Sequence, residues 1–267
     1  MRVSCIIPTR NRPEMTCRAI ASVLGQEEVF EIVVVDDGST DHTAAMVADN
    51  YPQVTLVRLS GLGPGLARNA GVAASTGEVI MFLDSDDQWL PGHSEALLRA
   101  LGRGYQVAYG VGRNLDLLSG GEFLVPEDGQ AVEGDCLEAL SSWCFVLTPA
   151  VAVTRDAFAR SGGFGSGDLA EDWIFYIRLA SHFPFGFAGP KPIFLRHLHG
   201  GSLCRQAEAR RIDQALAGVE LALLEAGVAG LPLRRFREMR QWTRNAGEGW
   251  ASIQQWYQAL RQAGLAA

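Results

Sequence analysis

The sequence predicts an α/β protein built on a parallel, doubly wound sheet, and three observations carry that expectation. Apolar runs at residues 3–7, 30–35, 54–59 and 79–83 alternate with segments of helical period in under ninety residues, the pattern of successive βαβ units. The runs are near-continuously apolar, as strands covered on both faces are. Three of them run into polar clusters at residues 9–12, 36–41 and 84–87. At one end of neighbouring parallel strands, such clusters converge on a ligand crevice.

The first run stops at Pro8, and Pro13 suits the first turn of a helix reaching about Gly25, with Met15, Ala19, Ile20, Val23 and Leu24 at the 3.6 period. The second strand ends in Asp36-Asp37-Gly38-Ser39-Thr40-Asp41, where Thr40 or Asp41 would cap a helix to about Asn50. A third strand is followed by the glycine-rich turn Gly61-Leu62-Gly63-Pro64-Gly65 and a helix over 66–74. Beyond Leu90-Pro91 the pattern is less regular. It reads as a helix over 92–101, a strand over 107–111, a loop over 113–135, a strand over 146–153 and a short helix over 155–160. A polar entry at 167–172 leads to a helix over 173–182, and two short strands flank Gly189-Pro190. From Arg205 onward the chain reads as helical, with breaks at 230–232 and at Gly247 and a packing face of Phe236, Trp242, Trp250, Trp256 and Tyr257.

With 267 residues, 48% of them hydrophobic and 20% charged, the chain can bury one large core or two small ones. A net charge of −7 argues against nucleic acid as a partner. Five widely spaced cysteines (5, 17, 136, 144 and 204) without a C-x-x-C fit a reducing compartment. A strand that begins at Arg2 leaves no room for a signal peptide, and no apolar run is long enough to span a bilayer. The expected location is cytoplasmic, with peripheral contact at the inner face of the membrane left open.

Chemistry concentrates in Leu83-Asp84-Ser85-Asp86-Asp87. Carboxylates spaced D-x-D-D repel one another unless a cation or protons neutralise them, and carboxylate oxygen suits Mg²⁺ or Mn²⁺. The bland reading, an acidic turn capping the next helix, has about equal weight on this segment alone. The loop after the first strand lacks the G-x-G-x-x-G of dinucleotide sites, and the later glycine-rich turn lacks the G-K-[ST] of a P-loop. Pro8-Thr9-Arg10-Asn11 offers a hydroxyl and a guanidinium instead, and Asp37 can accept from a base imide or a ribose hydroxyl. Glu171-Asp172 is by itself more simply a favourable helix N-terminus.

Taken together and in order, residues 3–11, the Asp-Asp-Gly-Ser-Thr-Asp at 36–41, the Gly-Leu-Ala-Arg-Asn-Ala-Gly at 65–71, and 82–87 resemble the family-2 inverting glycosyltransferases. Gly162-Gly163-Phe164, Glu171-Asp172-Trp173, Arg178-Leu179-Ala180 and His199-Gly200-Gly201-Ser202-Leu203 extend the resemblance to about residue 203. It implies a GT-A (nucleotide-diphospho-sugar transferase) fold: a Rossmann-like mixed central sheet flanked by helices over 1–203, followed by a helical C-terminal extension over 204–267. It also implies transfer of a sugar, with inversion, from a nucleoside diphosphate (a UDP-sugar being the expected donor) to a hydroxyl of a saccharide, lipid-linked or small-molecule acceptor.

Carried over by position, Pro8, Thr9, Arg10, Gly65, Arg68 and Ser85 line the nucleotide pocket, and Asp37 binds the base. Asp84 approaches the ribose or a metal-bound water. Asp86 ligates Mn²⁺ or Mg²⁺, aided by His199, while Asp87 is expected to cap a helix. Asp172 is the expected general base, with Glu171 as its rival and Asp168 a more distant one. Trp143, Trp173 and Glu171 are acceptor-side candidates, the tryptophans as stacking surfaces. Gly200 stands where the family often has Pro, and Gly165-Ser166-Gly167 loosens the approach to Asp172. The C-terminal helices are expected to pack on each other or pair two copies. Arg234, Arg235, Arg237 and Arg240 beside Phe236 and Trp242 would also suit anionic membrane. Other readings are a sugar nucleotidyltransferase, which usually carries a glycine-rich Arg/Lys signature absent here, and a haloacid-dehalogenase-like phosphatase, which would place its D-x-D near the N-terminus. A non-catalytic nucleotide-sugar-binding protein is the third.

Overall fold

Strands β1 (Val3–Thr9), β2 (Val29–Asp36), β3 (Thr55–Arg58) and β4 (Val79–Phe82) pair in parallel in the order β3-β2-β1-β4. They are linked by α1 (Pro13–Leu24), α2 (Thr43–Asn50) and α3 (Pro64–Ala74). The computed structural model describes residues 1–167, 169–202, 207–246 and 259. Asp168, Leu203, Cys204, Gly247, Trp250, Trp256 and Tyr257, named in the sequence reading, lie outside the described residues.

The apolar runs are continuous because both faces of the sheet are covered. Alternate residues face opposite ways: Val3, Cys5, Ile7, Val79, Met81 and Leu83 join one core with Ile20 and Val23 of α1, whereas Ile6, Ile80 and Phe82 join the other with Ala67 and Val72 of α3. At Gly71 of α3 the backbone lies so close to Ile6 that a Cβ would overlap its side chain, so the sequence keeps glycine mid-helix.

After β4 the sheet turns mixed. A two-residue strand, β5 (Gln88–Trp89), is followed by α4 (His93–Leu101), β6 (Val107–Asp116), β7 (Glu122–Val125), α5 (Leu137–Leu140), a 3₁₀ turn (Thr148–Ala150), β8 (Val151–Thr154), α6 (Arg155–Ser161), α7 (Glu171–Ala180) and β9 (Phe185–Leu198). The sheet continues β4-β8-β6-β9-β5, with β8 antiparallel to β4 and to β6, and β7 paired to β6. The expected loop at 113–135 is therefore partly wrong. Residues 113–116 extend β6, and a turn through Gly120 returns the chain into β7. The two short strands around Gly189-Pro190 form one element whose register against β6 slips between Tyr109 and Val111. Proline cannot donate to a ladder, which makes such an irregularity its proper place.

Helices α8 (Ala209–Glu225) and α9 (Gly230–Ala246) pack together and on α7. Ile212, Leu216, Val219, Leu233, Phe236 and Met239 belong to the same apolar cluster as Trp173 and Phe175. Three arginines of α9 reach α8: Arg237 meets Glu220 at 2.6 Å, Arg240 meets Asp213 at 2.9 Å and Glu220 at 2.8 Å, and Arg244 meets Asp213 at 2.9 Å. The pairs of Arg237 and Arg240 take up part of the charge expected to suit an anionic membrane, while Arg234 pairs within its own helix with Glu238. No helix among the described residues is long and apolar enough to cross a membrane.

Candidate active site

The polar clusters that end β1, β2 and β4 open into one cleft of about 520 Å³, closed on its far side by the head of α7 and the end of β9. That volume suits a ligand of nucleotide-sugar size. Pro8, Thr9, Arg10, Asp37, Arg68, Asp84, Ser85, Asp86, Glu171 and Asp172 all line it, although they come from five separate parts of the chain.

The β1 wall is braced from within. The Thr16 hydroxyl donates to the Arg12 carbonyl at 2.6 Å, so its single proton is spent and Thr9 Oγ1 must be the donor in the 2.6 Å Thr9–Thr16 contact. The lone pairs of Thr9 are then its available function. Asn11 adopts positive φ (53°), a conformation asparagine tolerates better than most residues, and accepts from Thr40 N–H at 2.8 Å.

On the β2 wall, Asp37 does more than the sequence suggested. Its carboxylate accepts backbone N–H groups from Gly61 (3.1 Å), Leu62 (2.7 Å) and Gly63 (2.8 Å), so it fixes the glycine-rich loop. Of about four lone-pair positions on a carboxylate, roughly one remains for a ligand. Gly61 and Gly63 hold φ of 88° and 89°, which explains the glycines there. Gly65 is set differently from expectation. It does not border the cleft; a Cβ on it would collide with the Gly165 carbonyl, so it is required for α3 to sit against the approach to α7.

The acidic turn after β4 has separate wiring for each carboxylate. Asp84 receives Arg68 Nη2 at 2.7 Å. Asp86 Oδ2 receives Arg12 Nη1 at 2.8 Å and lies 3.0 Å from His199 Nε2. Because Gly201 N–H points at His199 Nδ1 (3.1 Å), the hydrogen bonds assign the ring proton to Nε2, which donates to Asp86. In this tautomer His199 steadies Asp86 and does not itself offer a metal a lone pair. Asp87 is corrected outright. It caps no helix, since the residue before α4 is Gly92; buried at 3% exposure, it accepts the His197 N–H at 3.0 Å and ties β9 to the turn. Burial, and then the charges of Asp86 and Asp84, push its pKa up.

At the fourth wall, Ala170 takes φ 57°, a left-handed setting that strains a residue with a Cβ and fixes how the chain enters α7. Glu171 accepts from Arg68 Nη1 at 2.8 Å, so Arg68 bridges α7 to the β4 turn, its guanidinium lying over the Phe164 ring. Burial, followed by the neighbouring charge of Asp172, pushes the Glu171 carboxyl up to about 7 despite that pair. Asp172 accepts its own helix's Trp173 N–H at 2.7 Å, and burial raises its pKa as well. Trp173 is not an acceptor surface. It is 2% exposed, donates its indole N–H to Leu140 O at 2.7 Å and meets Phe236 edge-on. Trp143 packs against the core beside Phe145 and does not border the cleft.

Arg12, Arg196, His197 and the Gly61–Gly63 backbone also shape the cleft, and none of them is assigned a site role from the sequence. The Arg-His-Leu-His alternation at 196–199 and a second arginine two residues after Arg10 were the available signals. Among the described residues no three His, Cys, Asp or Glu side chains gather into a metal cluster. The donor set does fit Mg²⁺ or Mn²⁺ in another way. Such ions commonly bind one or two carboxylates and complete their shell with substrate phosphates, and Asp86, with Asp84 beside it, opens onto a cleft able to hold them.

The family model for glycosyl transferase family 2 matches residues 4–116. A succinoglycan biosynthesis protein, ExoO, of Rhizobium meliloti is 31% identical over 272 residues, spanning 89% of this chain and 74% of the relative. An uncharacterized glycosyltransferase of Nostoc sp. is 33% identical over 172 residues, 60% of this chain; those residues span 53% of that relative, about half its length. Among solved structures, Staphylococcus aureus TarS 1-349 in complex with UDP-GlcNAc superposes with a TM-score of 0.69 at 18% identity, covering 92% of this chain and 73% of that one. The mannosyltransferase PcManGT of Pyrobaculum calidifontis, in complex with GDP-Man and Mn²⁺, gives 0.67 at 20% identity, covering 98% and 75%. The fold is thus the GT-A fold.

Proposed function

The chain belongs to glycosyltransferase family 2, and we propose that it moves a sugar from a nucleoside diphosphate to an acceptor hydroxyl with inversion, with a divalent cation at Asp86 and Asp172 as general base. The observation that carries this reading is the convergence of Thr9, Asp37, Asp84 and Asp86, at the ends of three parallel strands, on the same cleft as Asp172.

The cleft divides by chemistry. The remaining lone pair of Asp37 and those of Thr9 face the place where a base imide would sit. Asp84, oriented by Arg68, would accept from a ribose hydroxyl. Arg10 and Arg12 supply guanidinium groups for the diphosphate, a pairing arginine makes bidentately. A cation held by Asp86, which His199 orients, would neutralise the charge that develops on the departing diphosphate.

For transfer, the acceptor oxygen attacks the anomeric carbon from the face opposite the diphosphate. The bond to the diphosphate oxygen breaks, and the acceptor proton goes to a carboxylate. Asp172 suits that step because it borders the cleft and burial raises its proton affinity. A single displacement inverts the centre and needs no covalent nucleophile. A UDP-sugar is the proposed donor, supported by the UDP-GlcNAc complex of TarS, while GDP-Man on PcManGT makes guanine the alternative base. A saccharide acceptor accords with the succinoglycan pathway of the Rhizobium relative.

A thermal-shift panel of nucleoside diphosphates with and without Mn²⁺ tests the reading. Mass action predicts that one base's diphosphate raises the melting temperature most, and does so with Mn²⁺ present. A chain that none of them stabilises under either condition would overturn it.

A further inference from the structure

Arg12 occupies a position that conflicts with the cation site just described. Its Nη1 lies 2.8 Å from Asp86 Oδ2, the carboxylate oxygen that His199 also contacts. A guanidinium and a divalent cation on one carboxylate repel each other and compete for it. Arg12 has a means of leaving. Its backbone is pinned at both ends, the N–H donating to Thr43 Oγ1 at 3.1 Å and the carbonyl accepting from Thr16 N–H at 2.9 Å, but its side chain is 27% exposed and borders the cleft. Arg68 is the contrast: at 5% side-chain exposure it is locked between Asp84 and Glu171 and cannot exchange partners without breaking a buried bridge.

We propose that Arg12 is an exchangeable counter-cation. It neutralises Asp86 in the empty cleft, transfers its guanidinium to the diphosphate when a donor binds, and so makes cation binding at Asp86 depend on the nucleotide. The inference rests on Asp86 as the cation ligand. Its chemistry follows from the match of a guanidinium fork to phosphate oxygens, which offer Arg12 two charge-assisted hydrogen bonds in place of one partner. Linkage makes the effect reciprocal: the cation must favour the nucleotide by the same factor. No bond is made or broken, and the backbone of the loop stays in place.

The test measures Mn²⁺ binding to the full chain through the electron paramagnetic resonance signal of the free ion, first without nucleotide and then with UDP or GDP, whichever stabilises the wild type more. Arg12→Gln is expected to bind nucleotide-free Mn²⁺ about tenfold more tightly than wild type, within the 5–150-fold range typical of coupled sites. The enhancement that the nucleotide adds is expected to shrink in parallel, while Arg12→Lys, which keeps the charge, stays close to wild type in nucleotide-free Mn²⁺ binding. Arg12→Gln binding Mn²⁺ no more tightly than wild type would overturn the inference. Asp86→Asn separates this from the failure of the underlying reading. If Asp86→Asn loses nucleotide-assisted Mn²⁺ binding while Arg12→Gln has no effect, only the role of Arg12 falls. If Asp86→Asn keeps that binding, the cation site itself is elsewhere.

Discussion

The acidic turn after β4 and the acidic head of α7 put neighbouring carboxylates into the same cleft, yet their surroundings prepare them for different work. In the turn, Asp84 has Arg68 and Asp86 has Arg12 and His199, so negative charge is met by donors. At α7, Glu171 shares Arg68, but burial prevails there and raises both carboxyls, and the charge of Asp172 adds to the rise of Glu171. Donors close at hand stabilise negative charge on a carboxylate, whereas a dry site raises a carboxyl's affinity for a proton, the property a general base needs. Asp87 is the instructive exception within the turn. It too is buried and raised, and its task is to hold the β9 backbone.

The comparison breaks most visibly at Asp172. Asp172→Asn is expected to lower turnover by about 10²–10⁴, the usual contribution of a general base, with donor affinity preserved. Single-turnover kinetics would check it, and a near-wild-type rate would move the base to Glu171. Next is Arg68→Met, which leaves Asp84 and buried Glu171 without their shared cation. Breaking a buried pair costs about 3 kcal/mol or more, and that loss should appear in urea unfolding at pH 8. It should shrink at pH 5, where Glu171, with its pKa near 7, takes up a proton. An equal loss at both values would remove Glu171 from the account.

Gly65→Ala probes the seam between the two regions, since its Cβ would press on the Gly165 carbonyl that leads into α7. Overpacking of this kind costs about 1–3 kcal/mol. The displaced segment carries the expected base, so turnover should fall more than donor affinity; the reverse order would mean that the glycine serves the nucleotide. The smallest effect is on pH-dependent stability. The folded pKa of Glu171, about 7, exceeds the ordinary glutamate value of 4.5. Between those values the folded chain therefore binds more protons than the unfolded one, and this group's contribution to stability declines as pH rises. The melting temperature of Glu171→Gln relative to wild type should accordingly rise from pH 5 to pH 8. A flat difference would contradict the raised pKa.

The parallel half of the sheet was legible in the sequence because burial on both faces leaves uninterrupted apolar runs, each punctuated by Pro8, Asp36 or Asp84. The mixed half was not. A two-residue strand such as β5 has no period to read, and β6 continues through Arg113-Asn114-Leu115-Asp116, whose polar residues suggest a loop. The same distinction governs the cleft. Residues at strand ends could be placed from sequence alone, while Arg196 and His197 depend on how β9 returns beside the β4 turn. Trp173 misled for a related reason: the helices that bury it come later in the chain, and only their packing shows that its ring faces Phe236.

The division of labour between the two acidic regions is tested most directly by calorimetric titration, in Mn²⁺, of the nucleoside diphosphate that best stabilises the wild type into Asp86→Asn and Asp172→Asn side by side. The account predicts a large loss of affinity in Asp86→Asn and wild-type affinity in Asp172→Asn. Equal affinities in the two variants, or the opposite order, would contradict it.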